Sequence, residues 1–259
     1  VRVTVPAGVH PGAGRGGFSV AGDLTIQAGA VLKFDGHSPN SGPIYVRGGG
    51  SLIASGTAAD PVTFTSWRDD SIGGDTNNDG SASSPTAADW RGIDVSGGDL
   101  VLEHADVRYA DQVSASAGPA EFRVRDSSLA HGTQILVGAS RGVVATVVIE
   151  NNTLTDVGRV PSTPYSVYAL GGGIEVYAGG DVPAVVRNNR VSGVRGDDPG
   201  TGFAVLVNGD LVPGNLTGNT GSDNDRNYLA AAGNLTADFT FPASGLQWEN
   251  LGITLPAGV

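Results

Sequence analysis

One short pattern recurs along this chain and limits what it can fold into. Two apolar residues separated by one are followed by a polar residue, a small turn and another apolar residue. It reads LTIQAGAV from Leu24, IYVRGGGSL from Ile44, LVLEHADV from Leu100, FRVRDSSL from Phe122, VVIENNTL from Val147 and AVVRNNRV from Ala184, with looser forms from Gly173 and Ala204. Such alternation marks strands buried on one face. One turn of chain cannot bury that face alone, whereas stacked turns build a continuous core. From Glu103 to Arg125 is 22 residues and from Arg125 to Glu150 is 25, lengths that suit one solenoid coil; the 37 residues from Glu150 to Arg187 require an insertion or a partial extra coil. This register stacks Val107, Leu129, Leu154 and Val191 in an inward column, about 4.8 Å per step. It also stacks Glu103, Arg125, Glu150 and Arg187 in a column of alternating charge. Asn152 should stack on Asn189 at a turn, where Asn can adopt the left-handed conformation and bond its neighbour's amide.

Composition supports strands and turns. Gly accounts for 41 of 259 residues and only 16% are charged, with a single lysine at Lys33 and acidic residues that are mostly Asp. Residues that favour helices are scarce outside Ala and Leu. The absence of Cys excludes disulfides and thiolate metal sites. A net charge of −11 argues against a nucleic-acid partner and suits divalent cations. No apolar run reaches the roughly 20 residues of a membrane span. The chain lacks Met and starts at Val1, so it reads as a mature or excised piece of a longer protein.

The segments VVIENNTL and AVVRNNRV, with the run LTIQAGAVLKF…GSLIASGTAADPVTFTS, resemble the pectin-lyase-like, right-handed parallel β-helix superfamily. They look most like its non-catalytic bacterial secreted and surface repeats. The resemblance covers nearly the whole chain. It implies an all-β, single-stranded right-handed parallel β-helix over residues 1–259, with loops bulging at 35–42, 68–89, 158–165, 196–202 and 221–228, and irregular chain at 10–17. It implies little about function, because the architecture serves lyases, hydrolases, adhesins and passive stalks alike. The motif VTVPAGV at Val3–Val9 returns as ITLPAGV at Ile253–Val259, which suggests one unit of a tandem array flanked by further repeat units.

The strongest local signal for chemistry is the loop at 68–89, RDDSIGGDTNNDGSASSPTAAD. Asp75, Asn77, Asp79 and Gly80 match the D-x-[DN]-x-[DN]-G opening of a calcium loop, where alternate oxygens converge and Gly permits the sharp turn. Thr86 stands where an EF-hand carries its bidentate Glu, so Asp69, Asp70 or Asp89 must complete the shell. The expectation is structural Ca²⁺ held by Asp75, Asn77, Asp79, Asp69 and Asp70. The competing expectation is a solvated acidic loop.

For catalysis the candidates are His104, Asp106 and Arg108 in LVLEHADVRY, expected on one outward strand face. Lyases that share the resemblance carry acidic, Ca²⁺-binding and basic groups on such a face. The next coil, with Arg125, Asp126 and Ser128, lacks the matching Asp ligands, which favours a solvated face. Glu175, Asp197 and Asp198 could supply a glycosidase pair if about 5–10 Å apart, and Tyr165, Tyr168, Tyr177 and Trp248 could stack on sugars. Gly12, Gly14 and Gly17 fit a dinucleotide fingerprint, but FSVAGDLTI after them reads as strand, not helix. Arg195-Gly196-Asp197 and the N-x-[ST] triplets at Asn151, Asn215 and Asn234 carry little weight beside turns.

The functional expectation is a structural or adhesive segment of a larger extracellular protein, secreted or on the cell surface. It would bind Ca²⁺ and contact a polysaccharide or cell-surface glycan. The alternatives are a polysaccharide lyase or other carbohydrate-active enzyme, and a non-catalytic glycan-binding module.

Overall fold

The computed structural model describes residues 2–5, 12–13, 17–35, 42–117, 120–139, 146–157, 172–178, 184–196, 201–236, 238, 240 and 245–255. Within them the chain is all-β apart from one 3₁₀ turn, Pro213–Leu216. Its strands form three parallel sheets of seven, eight and nine strands, visited in rotation as far as Phe203–Leu211. A representative coil runs through Asp99–Glu103 in the first sheet, Ala105–Arg108 in the second and Ala110–Ala117 in the third. The next coil follows with Glu121–Arg125, Ser128–Ala130 and Gln134–Ala139. Up to Phe203–Leu211 each strand pairs with the strand three places later, the arrangement that fits a parallel β-helix. Among the described residues no helix is long and apolar enough to cross a membrane.

Alternation sets which side chains enter the core. Asp23–Gln27, Ser51–Ser55, Asp99–Glu103, Glu121–Arg125 and Thr146–Glu150 each bury their second and fourth residues. Val107, Leu129, Leu154 and Val191 stack in register and are all 0% exposed. The long step between Glu150 and Arg187 leaves this register intact, because these residues still pair directly. Glu103, Arg125, Glu150 and Arg187 form the expected column, with Arg125 2.9 Å from Glu103 and Arg187 2.8 Å from Glu150.

The corner between the first and second sheets carries a left-handed residue in four successive coils: His104 (φ 48°), Asp126 (51°), Asn151 (59°) and Asn188 (56°). Asn152 and Asn189 therefore do not take that conformation, as the sequence suggested; they lie one residue later and turn their amides inward. There Asn152 Nδ2 donates to Asn189 Oδ1 at 3.0 Å, and Asn189 Nδ2 donates to Asn219 Oδ1 at 3.0 Å. A short polar residue at the corner covers backbone groups that the bend takes out of the sheet ladder.

Not every expected loop is one. Gly221 and Tyr228 belong to the strands Thr220–Ser222 and Arg226–Leu235, so only 223–225 connect them. Gly12–Ala13, expected to be irregular, pairs with Lys33 and Phe34. Residues 36–41, 158–165 and 197–200 of the other expected loops lie outside the described residues. The matching end motifs occupy different places: Val3 pairs with Leu24 in the first sheet, while Ile253 pairs with Gly233 in the third.

Candidate functional site: the acidic loop over the second sheet

The chain leaves the second sheet after Val62–Ser66 and rejoins the third at Trp90–Ser96. The segment between folds back over the outer face of the second sheet. Thr63, Thr65 and Lys33, which would otherwise face solvent there, are at most 2% exposed. Asp89 ties the two ends of the loop together, accepting from Ser66 Oγ at 2.5 Å and from Arg68 Nη1 at 2.6 Å. Beyond the loop Trp90 is fully buried, stacked on Phe34 at 4.1 Å between centroids, and its Nε1 donates to the Arg108 carbonyl at 2.8 Å.

Asp69 anchors the near side of the loop. Its carboxylate accepts from Thr65 Oγ1 at 2.7 Å and from Ser71 Oγ at 2.5 Å, and it lies 3.7 Å from Arg108. Burial alone would raise its pKa, but hydrogen bonds from Ser71 and Thr65, with the Arg108 charge, hold it below the usual carboxylate value. A depressed native pKa stabilises the fold above the unfolded value, about 4, and that stability fades as pH falls through the native value. Acidification from pH 5 to pH 2 is therefore expected to expose the loop to proteolysis, and Asp69→Asn should flatten that pH dependence.

Farther out, carboxylate oxygens of Asp70, Asp75 and Asp79 all lie within 4.8 Å of one another. Asp75 shapes the turn by accepting from the backbone amides of Asp79 at 3.2 Å and Gly80 at 2.8 Å. Gly80 has φ 72°, which disfavours any residue with a side chain. Asp79 Oδ2 accepts from Asn77 Nδ2 at 2.8 Å and Ser83 Oγ at 2.5 Å. Three acceptor oxygens in this loop, Asp70 Oδ1, Asn77 Oδ1 and Asp79 Oδ1, are buried and receive no hydrogen bond. Buried acceptors normally find a donor, and a bound water or ion accounts for exceptions. Asn77 adds a neutral amide oxygen beside this group, held there by the bond from its Nδ2 to Asp79. Hard oxygen donors at this spacing are what Ca²⁺ takes. Of the five expected ligands, the structure brings Asp70, Asp75 and Asp79 together and hydrogen-bonds Asn77 to Asp79. Asp69 and Asp89 are committed to the loop's foundations.

Lys33 was not singled out by sequence reasoning, yet it lies beneath this loop and donates from Nζ to the Gly74 carbonyl at 2.5 Å. Burial pushes its ammonium below the usual lysine range, and the charges of Asp69, Asp70 and Asp75 oppose that shift. The available signal was a lone lysine inside the apolar strand VLKF.

The second candidate group does not share one strand face. Asp106 and Arg108 face outward from Ala105–Arg108, but His104 occupies the left-handed corner before it. Its carbonyl accepts from Val62 N at 3.1 Å. Arg108 donates to Asp106 Oδ2 from Nε at 2.8 Å and from Nη2 at 2.5 Å. The two side chains thus engage each other.

Glu175 is 1% exposed and accepts from Gly172 N at 2.5 Å and Tyr177 OH at 2.9 Å. Burial, followed by the Glu175 charge, pushes the Tyr177 hydroxyl far up. Asp197, Asp198, Tyr165 and Tyr168 lie outside the described residues, and Trp248 packs against the core. Arg195 of the RGD tripeptide lies 3.3 Å from Asp223. No family model matches the chain, and neither a curated protein nor a solved structure matches it.

Proposed function

We propose that the chain is a right-handed parallel β-helix segment of a secreted or cell-surface protein, serving as a structural or adhesive element whose acidic loop is ordered by Ca²⁺. Right-handed crossovers are the rule between parallel strands. The resemblance of the coil motifs to pectin-lyase-like surface repeats supports the extracellular setting and the presence of neighbouring repeat units. The observation that carries the calcium reading is the convergence of Asp70, Asp75 and Asp79 beside three buried oxygens without donors.

The test is calorimetric titration and thermal unfolding of chelator-stripped protein. An affinity of about 10⁻⁴–10⁻³ M suits an extracellular site. Near-saturating Ca²⁺ should raise the melting temperature by about 5 °C, from mass-action stabilisation spread over a domain of this size. Asp79→Ala should abolish both the heat and the shift. Absence of both in the parent protein would end the calcium reading.

A glycan-contacting role fits the same placement, with the outer sheet faces and loops as the contact surface. Incubation with acidic and neutral polysaccharides in Ca²⁺ is expected to give retention without product release. The mutual engagement of Asp106 and Arg108 supports that expectation. Cleavage lost in Asp106→Ala would make the chain a lyase or hydrolase instead.

A further inference from the structure

Lys33 is the chain's single lysine and is 2% exposed, although it sits on the outward side of the second sheet. It occupies Val31–Phe34, a strand buried along its whole length. An ammonium in that position is costly unless it is paired. Its hydrogen bond reaches Gly74, the residue before Asp75, and the carboxylates that act on it are Asp69, Asp70 and Asp75. Asp70 and Asp75 also belong to the three-carboxylate group. One fixed positive charge therefore faces both the foundation of the loop and the oxygens assigned above to Ca²⁺.

We propose that Lys33 is a built-in counter-cation, which holds the acidic loop over the second sheet when no ion is bound and keeps the calcium affinity low. The proposal rests on the calcium reading. Without a cation, three carboxylates within 4.8 Å of one another repel, and the ammonium offsets part of that repulsion. When Ca²⁺ enters, the same ammonium repels a doubly charged ion. Its stem is fixed in the sheet and its head is tied to Gly74, so it cannot swing away. Lys33 would thus make the loop less dependent on calcium and the site weaker than its carboxylate count suggests.

The experiment is calcium titration of chelator-stripped parent protein and of Lys33→Gln, Lys33→Met and Lys33→Arg. It is paired with limited proteolysis of the loop with and without Ca²⁺. The Gln variant keeps a hydrogen-bond donor for Gly74, and the Met variant keeps only the apolar stem. Removing a unit charge close to a divalent ion at an effective dielectric near 20 should tighten binding by about tenfold or more in both. The Arg variant should bind like the parent. Without calcium the loop should be cut faster in the neutral variants than in the parent, and calcium should protect it in all of them.

If the parent binds but the neutral variants bind equally or more weakly, the counter-cation role is wrong and the calcium site stands. If no protein binds, the calcium reading fails and takes this proposal with it. Neutral variants that fold only with calcium would support the role. Neutral variants that stay unfolded at saturating calcium would overturn it, since the ion should replace the missing charge.

Discussion

Asn189→Ala should destabilise the protein by about 3–5 kcal/mol, the range for removing one partner from several buried hydrogen bonds at once. Asn189 is 0% exposed. Its Oδ1 accepts from the backbone and side-chain amides of Asn152, both at 3.0 Å. Its Nδ2 donates to the Ile149 carbonyl at 2.9 Å and to Asn219 Oδ1 at 3.0 Å. Truncation takes the acceptor from the buried Asn152 backbone amide and the side-chain donor from the Ile149 carbonyl, and leaves Asn152 Nδ2 with only the Val124 carbonyl. The ladder also continues in both directions, from Asn152 to Ser127 N at 3.0 Å and from Asn219 to the Val186 carbonyl at 2.8 Å. One deletion therefore loosens several coils. In a stack of coils each layer is stabilised mainly by its neighbours, so the loss should appear as a broader as well as an earlier denaturant transition.

The adjacent residue supplies the control. Asn188 sits at φ 56°, so Asn188→Gly should be nearly neutral and Asn188→Ala should cost about 1 kcal/mol. If Asn188→Ala proves as damaging as Asn189→Ala, the corner conformation, not the ladder, holds the coils together.

Much of the stacking was legible because a solenoid writes its register as repetition. The columns through Val107 and Glu103 follow from aligning like motifs, and an insertion changes the spacing without changing which residues pair. Conformation at the corner was less legible. Adjacent asparagines in NNT and NNR offer two residues for two roles, and composition does not say which turns inward. Asn219 was hidden because the first-sheet strand of its coil is replaced by the 3₁₀ turn Pro213–Leu216, which erases the motif that would have placed it. The stretch 221–228 read as a loop because Gly, Ser, Asp and Asn favour turns in isolation, whereas pairing between Thr220–Ser222 and Arg190–Ser192 outweighs local preference.

At the candidate site, the spacing of Asp75, Asn77 and Asp79 was readable, since a calcium loop is local in sequence. The division of labour among Asp69, Asp70 and Asp89 was not. It depends on how the loop turns back over Thr65 and Ser66 of the strand it leaves, and on Arg108, which the stacking of the next coil brings beneath it.

Trp90→Ala should cost about 4–5 kcal/mol, toward the upper end for aromatic truncation in a core. Trp90 joins three levels of the structure. Its ring stacks on Phe34 at 4.1 Å with 10° between planes, its Nε1 reaches Arg108 at 2.8 Å, and its backbone pairs with Ala110. It also follows Asp89, whose bonds to Ser66 and Arg68 close the acidic loop. Removing the ring leaves a cavity against Phe34 and an unpaired Arg108 carbonyl, and it frees the seat on which the loop closes. Trp90→Phe preserves the stack and loses only the Nε1 bond, so about 1–2 kcal/mol is expected for it. The two variants separate packing from the hydrogen bond in denaturant unfolding followed by circular dichroism. They also bear on the site. If the seat orders the loop, Trp90→Ala should weaken calcium binding although no ligand is altered, while Trp90→Phe should bind like the parent. Equal calcium affinity in Trp90→Ala would show that the loop orders itself independently of the core beneath it.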